Sequence, residues 1–171
     1  MTVITTSRTT TSAGLSSFGL EDGPVIPAPA LVPKPPIPET LHVLSTYDEV
    51  RSATETITAS GHRLISIMTP DLEPEIYDKP AMLEVIKRFV LGHSFAKVRV
   101  LMRDQARLSN GANRFIAMAH RLTSYLEIRI RAEQYRQVNA GYCIADDRAI
   151  VYRVRADRAD GIAGFNNPKI A

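Results

Sequence analysis

The chain has 171 residues, 44% hydrophobic and 23% charged, which fits one domain with a core of its own plus a tail. Aromatic residues make up only 6%, with no Trp, and this argues against a surface built on base stacking. The net charge of +3 is uneven: residues 97–158 hold 13 Lys/Arg, 12 of them Arg, against 6 Asp/Glu, whereas residues 41–96 hold 5 against 8.

An arginine-rich half suits phosphates and carboxylates, because the guanidinium is a rigid fork of donors. It equally suits a solvated surface of local ion pairs. The single cysteine, Cys143, excludes an internal disulfide. With no His nearby in sequence, it reads as a buried structural thiol in a reducing compartment. No run approaches the roughly 18 apolar residues of a membrane span. Residues 1–23 lack the apolar core of a signal peptide. The expected location is the cytoplasm.

Residues 1–40 open Ser/Thr-rich and continue with seven of the eleven prolines. Proline fixes φ and removes amide donors, so a disordered arm passing into a polyproline II spacer is expected. One α/β domain is expected over residues 41–171. Ser45, with Asp48 three residues on, starts a helix carrying Val50, Ala53 and Ile57 on one face, and Gly61 stops it. Arg63–Met68 is a buried strand. Pro80 opens a second helix, with Met82, Leu83, Ile86, Phe89 and Val90 at helical spacing. Lys97–Met102 is a second strand, 109–123 a third helix and 125–130 a third strand. A hairpin, 142–145 and 149–152, turns at Asp146-Asp147-Arg148.

Strands separated by single helices imply right-handed crossovers. The expected fold is α/β: a small mixed, mainly parallel sheet flanked by helices, with the C-terminal hairpin at its edge. Ligands of such sheets bind beyond the carboxyl ends of the parallel strands. Asp71, Arg103, Asp104 and Arg131 occupy those places and form the candidate ligand-binding set. They suit phosphate or another anion, unless the aspartates cap turns and the arginines pair with them.

The runs Met68-Thr69-Pro70-Asp71-Leu72-Glu73-Pro74-Glu75-Ile76-Tyr77-Asp78, Ser94–Leu101 and Ile144-Ala145-Asp146-Asp147-Arg148 resemble an uncharacterised family of small bacterial domains, similar to one half of the phospholipase D-like fold. Active members of that fold carry His-x-Lys and, after four intervening residues, Asp: nucleophile, phosphate-holding cation and support. The resemblance aligns Asp146 with the Asp, so that Asn139 and Gly141 fall on the His and Lys positions; a shift of one residue puts Ala140 and Tyr142 there. In either register the nucleophile and the cation are absent. The resemblance therefore implies a degenerate, non-catalytic module. It also implies pairing of half-domains, for which the hairpin strand 149–154 would serve, guarded by Arg153 and Arg155.

Other chemistry lacks its parts. His42, His62, His93 and His120 form no HxH, HExxH or zinc spacing. No Gly-rich phosphate loop and no GxSxG elbow occur. Neither a cofactor nor a metal is expected. Arg158, Gly161 and Ala163 fit the loose pattern of acetyl-CoA-binding loops, which would set amides around a pyrophosphate at a helix N-terminus. The leading expectation is thus a binding module for nucleic acid, a phosphate-containing ligand or a protein partner, with a homodimer as one form of partnership. The alternative is a cryptic phosphodiesterase or acetyltransferase.

Overall fold

In the computed structural model, residues 40–103 and 113–166 are described. Of the arm expected over residues 1–40, all but Thr40, which opens the first strand, lies outside them, as do Asp104 and the start of the third helix. The described elements run β1 (Thr40–Leu44), α1 (Tyr47–Ser60), β2 (Leu64–Thr69), α2 (Pro74–Tyr77), α3 (Pro80–Gly92), β3 (Lys97–Met102), α4 (Arg114–Arg121), β4 (Leu126–Ile130), β5 (Gly141–Ala145), β6 (Ala149–Arg153) and β7 (Gly161–Phe165). None of the described helices is long and apolar enough to cross a membrane.

The cap of α1 sits one residue beyond the expected Ser45. Thr46 accepts from the Glu49 amide at 3.2 Å while the Glu49 carboxylate accepts from the Thr46 amide at 3.1 Å, a reciprocal capping box. Val50 and Ile57 then fall on the buried face as their spacing requires, and Gly61 ends the helix. In α3 the five apolar positions read from the sequence are the buried ones.

The fold is α/β, with one mixed sheet in the order β1-β7-β6-β5-β2-β3-β4. The expected parallel character holds only for β2, β3 and β4, joined by crossovers through α3 and α4. Every other pairing is antiparallel, so the sheet is mainly antiparallel, not mainly parallel. The cause is the placement of the hairpin. It is not at the edge: β5 docks on the free side of β2, and β6 pairs with β7, which in turn pairs with β1. Strand 149–154 is therefore interior and cannot pair with a second copy.

Side chains alternate across the sheet. Ile65, Ile67, Val98, Val100, Cys143, Val151 and Ala163 line one buried face; α1 lies over its β5, β6 and β7 part, where Thr58 Oγ1 meets Cys143 Sγ at 3.8 Å. Ser66, Arg99, Glu127, Arg129 and Tyr142 lie on the opposite face around a shallow basin. Burial pushes the Cys143 thiol up to about 12, so it is protonated at neutral pH and is not a nucleophile.

The stretch expected as an alternative pyrophosphate loop is instead strand β7, with Gly161 paired to Leu44 and Ala163 between β1 and β6. Its glycine answers to packing. A Cβ at Gly161 would stand 2.6 Å from the Tyr152 carbonyl oxygen and 2.6 Å from Arg153 Cγ. Gly161→Ala is expected to cost about 1–3 kcal/mol through this overpacking, seen as a lower midpoint in urea denaturation; an unchanged midpoint would mean that β7 shifts freely.

Candidate anion-binding rim

The pairing registers bring one end of five strands together. Met68 faces Leu101 and Tyr142, Met102 faces Ile130, and Gly141 faces Arg153. The C-terminal ends of β2, β3, β4 and β6 thus share a rim with the N-terminal end of β5. Asp71, Arg103, Arg131, Asn139 and Gly141 all stand on it. Asp104 lies outside the described residues.

Two of these residues, 36 apart in sequence, touch. Arg103 Nη1 donates to Asn139 Oδ1 at 3.2 Å, and Asn139 Nδ2 donates to Asp157 Oδ1 at 3.1 Å. Both ends of the amide are engaged. Backbone bonds hold the arginines in register: the Arg103 amide donates to the Pro70 carbonyl at 3.1 Å and the Arg131 amide to the Met102 carbonyl at 2.7 Å.

Arg131 is only 5% exposed. Its Nη1 donates to the Val138 carbonyl at 2.6 Å, while Nε and Nη2 are buried with no hydrogen-bond partner. Burial first, and then the neighbouring Arg103 charge, lower its pKa; the Tyr142 phenol pulls the other way. An arginine nevertheless stays protonated in proteins. Among the described residues, no carboxylate forms a salt bridge with Arg103 or Arg131. Two cations thus stand beside each other at the rim.

An ion pair that no sequence spacing signals adjoins the rim. Arg153, expected as an edge guard, is instead 3% exposed, and its Nη2 reaches both oxygens of Glu73 at 2.6 and 2.7 Å. Its Nη1 donates to the carbonyls of Ala156 and Arg158. Thr69 Oγ1 also donates to Glu73. Burial pushes the Glu73 carboxyl above its ordinary value, against the pull of Arg153. Arg155, the other expected guard, pairs with Asp157 at 2.6 Å. Only the burial of alternate β6 residues would have signalled that Arg153 points into the domain.

Asp146 stands at the opposite end of β5. It accepts from the amides of His62, Arg63 and Leu64 at 2.6, 2.8 and 2.8 Å. Asp146 and Asp147 both have φ near 50°, the left-handed pair of a type I′ hairpin turn. Burial alone would raise the Asp146 carboxyl, but the amides of Leu64, Arg63 and His62, helped by the His62 ring, hold it below its ordinary value. Its role is to tie the hairpin to the start of β2. No group of three His, Cys, Asp or Glu among the described residues is placed to hold a metal ion.

Residues 46–171 match the family described as "Domain of unknown function (DUF7931)". The chain belongs to this family. No curated protein matches the DUF7931 chain as a relative. Among solved structures it is similar to TrmBL2, described as an archaeal chromatin protein that shows a novel mode of DNA binding, with a TM-score of 0.56 and 14% identity over 82% of this chain and 48% of that one. It thus spans about half of that protein, and at this identity the likeness is one of fold. NucT from Helicobacter pylori aligns at a TM-score of 0.48 and 13% identity, over 78% of this chain and 87% of that one.

Proposed function

We propose that this DUF7931 chain is a non-catalytic, phospholipase D-like module that binds nucleic acid through the strand-end rim. The observation that carries this reading is the pair of neighbouring guanidiniums, Arg103 and Arg131, neither of them in a salt bridge with a described carboxylate. Like charges held together at a ligand-binding edge raise the local potential for an anion. Nucleic acid supplies anions in series, and the arginine-rich half continues over Arg99 and Arg129 on the open sheet face. Among the described residues, the phospholipase D-like positions supply no agent for catalysis. Asn139 and Gly141 occupy the positions that the phospholipase D-like resemblance gives to nucleophile and cation. An amide with both ends hydrogen-bonded cannot attack phosphorus. The DNA binding described for TrmBL2 agrees with this reading without carrying it.

The test is fluorescence anisotropy of the full 171-residue chain with short single- and double-stranded DNA and RNA. Two neutralised phosphates give about a 12-fold loss of affinity between 50 and 200 mM salt. Arg103→Ala is expected to weaken binding to every sequence alike and to reduce the salt slope by about one. Absence of binding at 50 mM salt sinks the proposal.

A further inference from the structure

The two unpartnered donors of Arg131 are not an arbitrary pair. Nε–H and Nη2–H form the side-on edge of the guanidinium, where two parallel N–H bonds meet two oxygens of one oxyanion. The third nitrogen, Nη1, is anchored on the Val138 carbonyl at 2.6 Å and fixes the plane. A buried donor without a partner is costly, and here both donors of one fork are buried without a partner. Backbone bonds set the strand end that carries them. The site is therefore organised before its ligand arrives.

From this geometry we infer that Arg131, with Arg103 beside it, is a receptor for a phosphate monoester, so that the module recognises the terminal phosphate of a strand and not only its diester backbone. Three observations select the monoester. Two neighbouring cations without a described salt-bridge partner match a dianion better than a singly charged diester. The fork needs two oxygens of one group, and a monoester presents three. With Arg131 only 5% exposed, the fork must be uncovered before any ligand meets it, and a group at the end of a chain needs a narrower opening than a backbone phosphate with ester groups on both sides. The inference rests on the proposed reading for its biological ligand, but the receptor itself is testable apart from nucleic acid.

The experiment is isothermal titration of the full chain with thymidine 5′-monophosphate, its methyl diester and acetate, at pH 7.5 and pH 5. At pH 7.5 the monoester is expected to bind at least ten-fold more tightly than the diester or acetate. Its advantage should shrink at pH 5, below a second phosphate pKa of about 6. Arg131→Lys keeps the charge but loses the fork, and is expected to lose the preference. A diester or acetate that binds as tightly as the monoester overturns the inference, and this comparison needs only the unaltered chain, whatever the fold of the variant. Equal monoester preference in a folded Arg131→Lys chain overturns it as well. Oligonucleotides with 5′-phosphate, 3′-phosphate or no terminal phosphate separate the two claims. Salt-sensitive binding indifferent to the terminal phosphate leaves the nucleic-acid reading standing and removes this one. Monoester binding without oligonucleotide binding does the reverse.

Discussion

Glu73→Ala is expected to cost about 3–5 kcal/mol of stability, the range for stranding one charge of a buried pair. Arg153 is 3% exposed, and its Nη2 has Glu73 as its only carboxylate partner among the described residues. Without Glu73 that charge stays in the interior with only the carbonyls of Ala156 and Arg158 to receive it. The loss is a large share of the roughly 5–15 kcal/mol that holds a domain together. A control separates charge burial from lost packing. The double substitution Glu73→Leu with Arg153→Met removes both charges and keeps volume, so it is expected to recover most of the loss. Urea denaturation of the three chains reads the result. A single substitution that costs under about 1 kcal/mol would show that water reaches Arg153.

Asp146→Ala is expected to cost about 3 kcal/mol, because three amides lose a charged acceptor at once and hydrogen bonds to ions contribute about 1.5–3 kcal/mol each without adding fully. Asp146→Asn tests the charge separately, since an amide retains one acceptor oxygen. The pH dependence has a definite sign. The folded-state carboxyl lies below its ordinary value of 3.8. The stabilisation is therefore fully present above that value and is lost as the pH falls through the lower folded value. Unfolding free energy measured from pH 6 to pH 2 should fall less steeply for Asp146→Ala than for the unaltered chain. Parallel curves would mean that the carboxylate is not what holds the turn.

Much of the fold was legible because its signals are local. Lys97–Met102 is bounded in the structure as in the sequence, and α3 buries the residues its spacing selects. Two strands were not legible. β1 is five residues between the proline-rich stretch and a helix cap, too short to show a period. β7, Gly-Ile-Ala-Gly-Phe, carries glycines that read as loop signals, whereas Gly161 is there because Tyr152 and Arg153 leave no room for a Cβ. Without β1 and β7 nothing stands beyond the hairpin, which then falls at the edge of a mainly parallel sheet; with them it is interior and the sheet is mainly antiparallel.

The rim was legible in outline only. The rule that ligands gather past parallel strand ends points to Asp71, Arg103, Asp104 and Arg131, of which Asp104 lies outside the described residues. It could not show that Asn139, reached through a different argument, hydrogen-bonds Arg103, because their separation in sequence carries no periodic signal. Nor does composition distinguish an arginine on the surface from one whose guanidinium is buried. Arg131 and Arg153 are spelled like their neighbours and differ from them only in what the sheet folds over them.

The packing around Gly141 has a consequence for how such a module changes over time. A Cβ there would lie 3.2 Å from the Ala156 Cβ and 3.3 Å from Arg153 Nη2. On the proposed reading this is the place of a lost cation. A side chain at this position needs both neighbours to give by a few tenths of an ångström, so a lysine returning there would press on the guanidinium that holds Glu73. On that same reading, the ion pair that stabilises the domain also sets the cost of regaining a cation at the rim, so fold stability and the recovery of chemistry pull against each other.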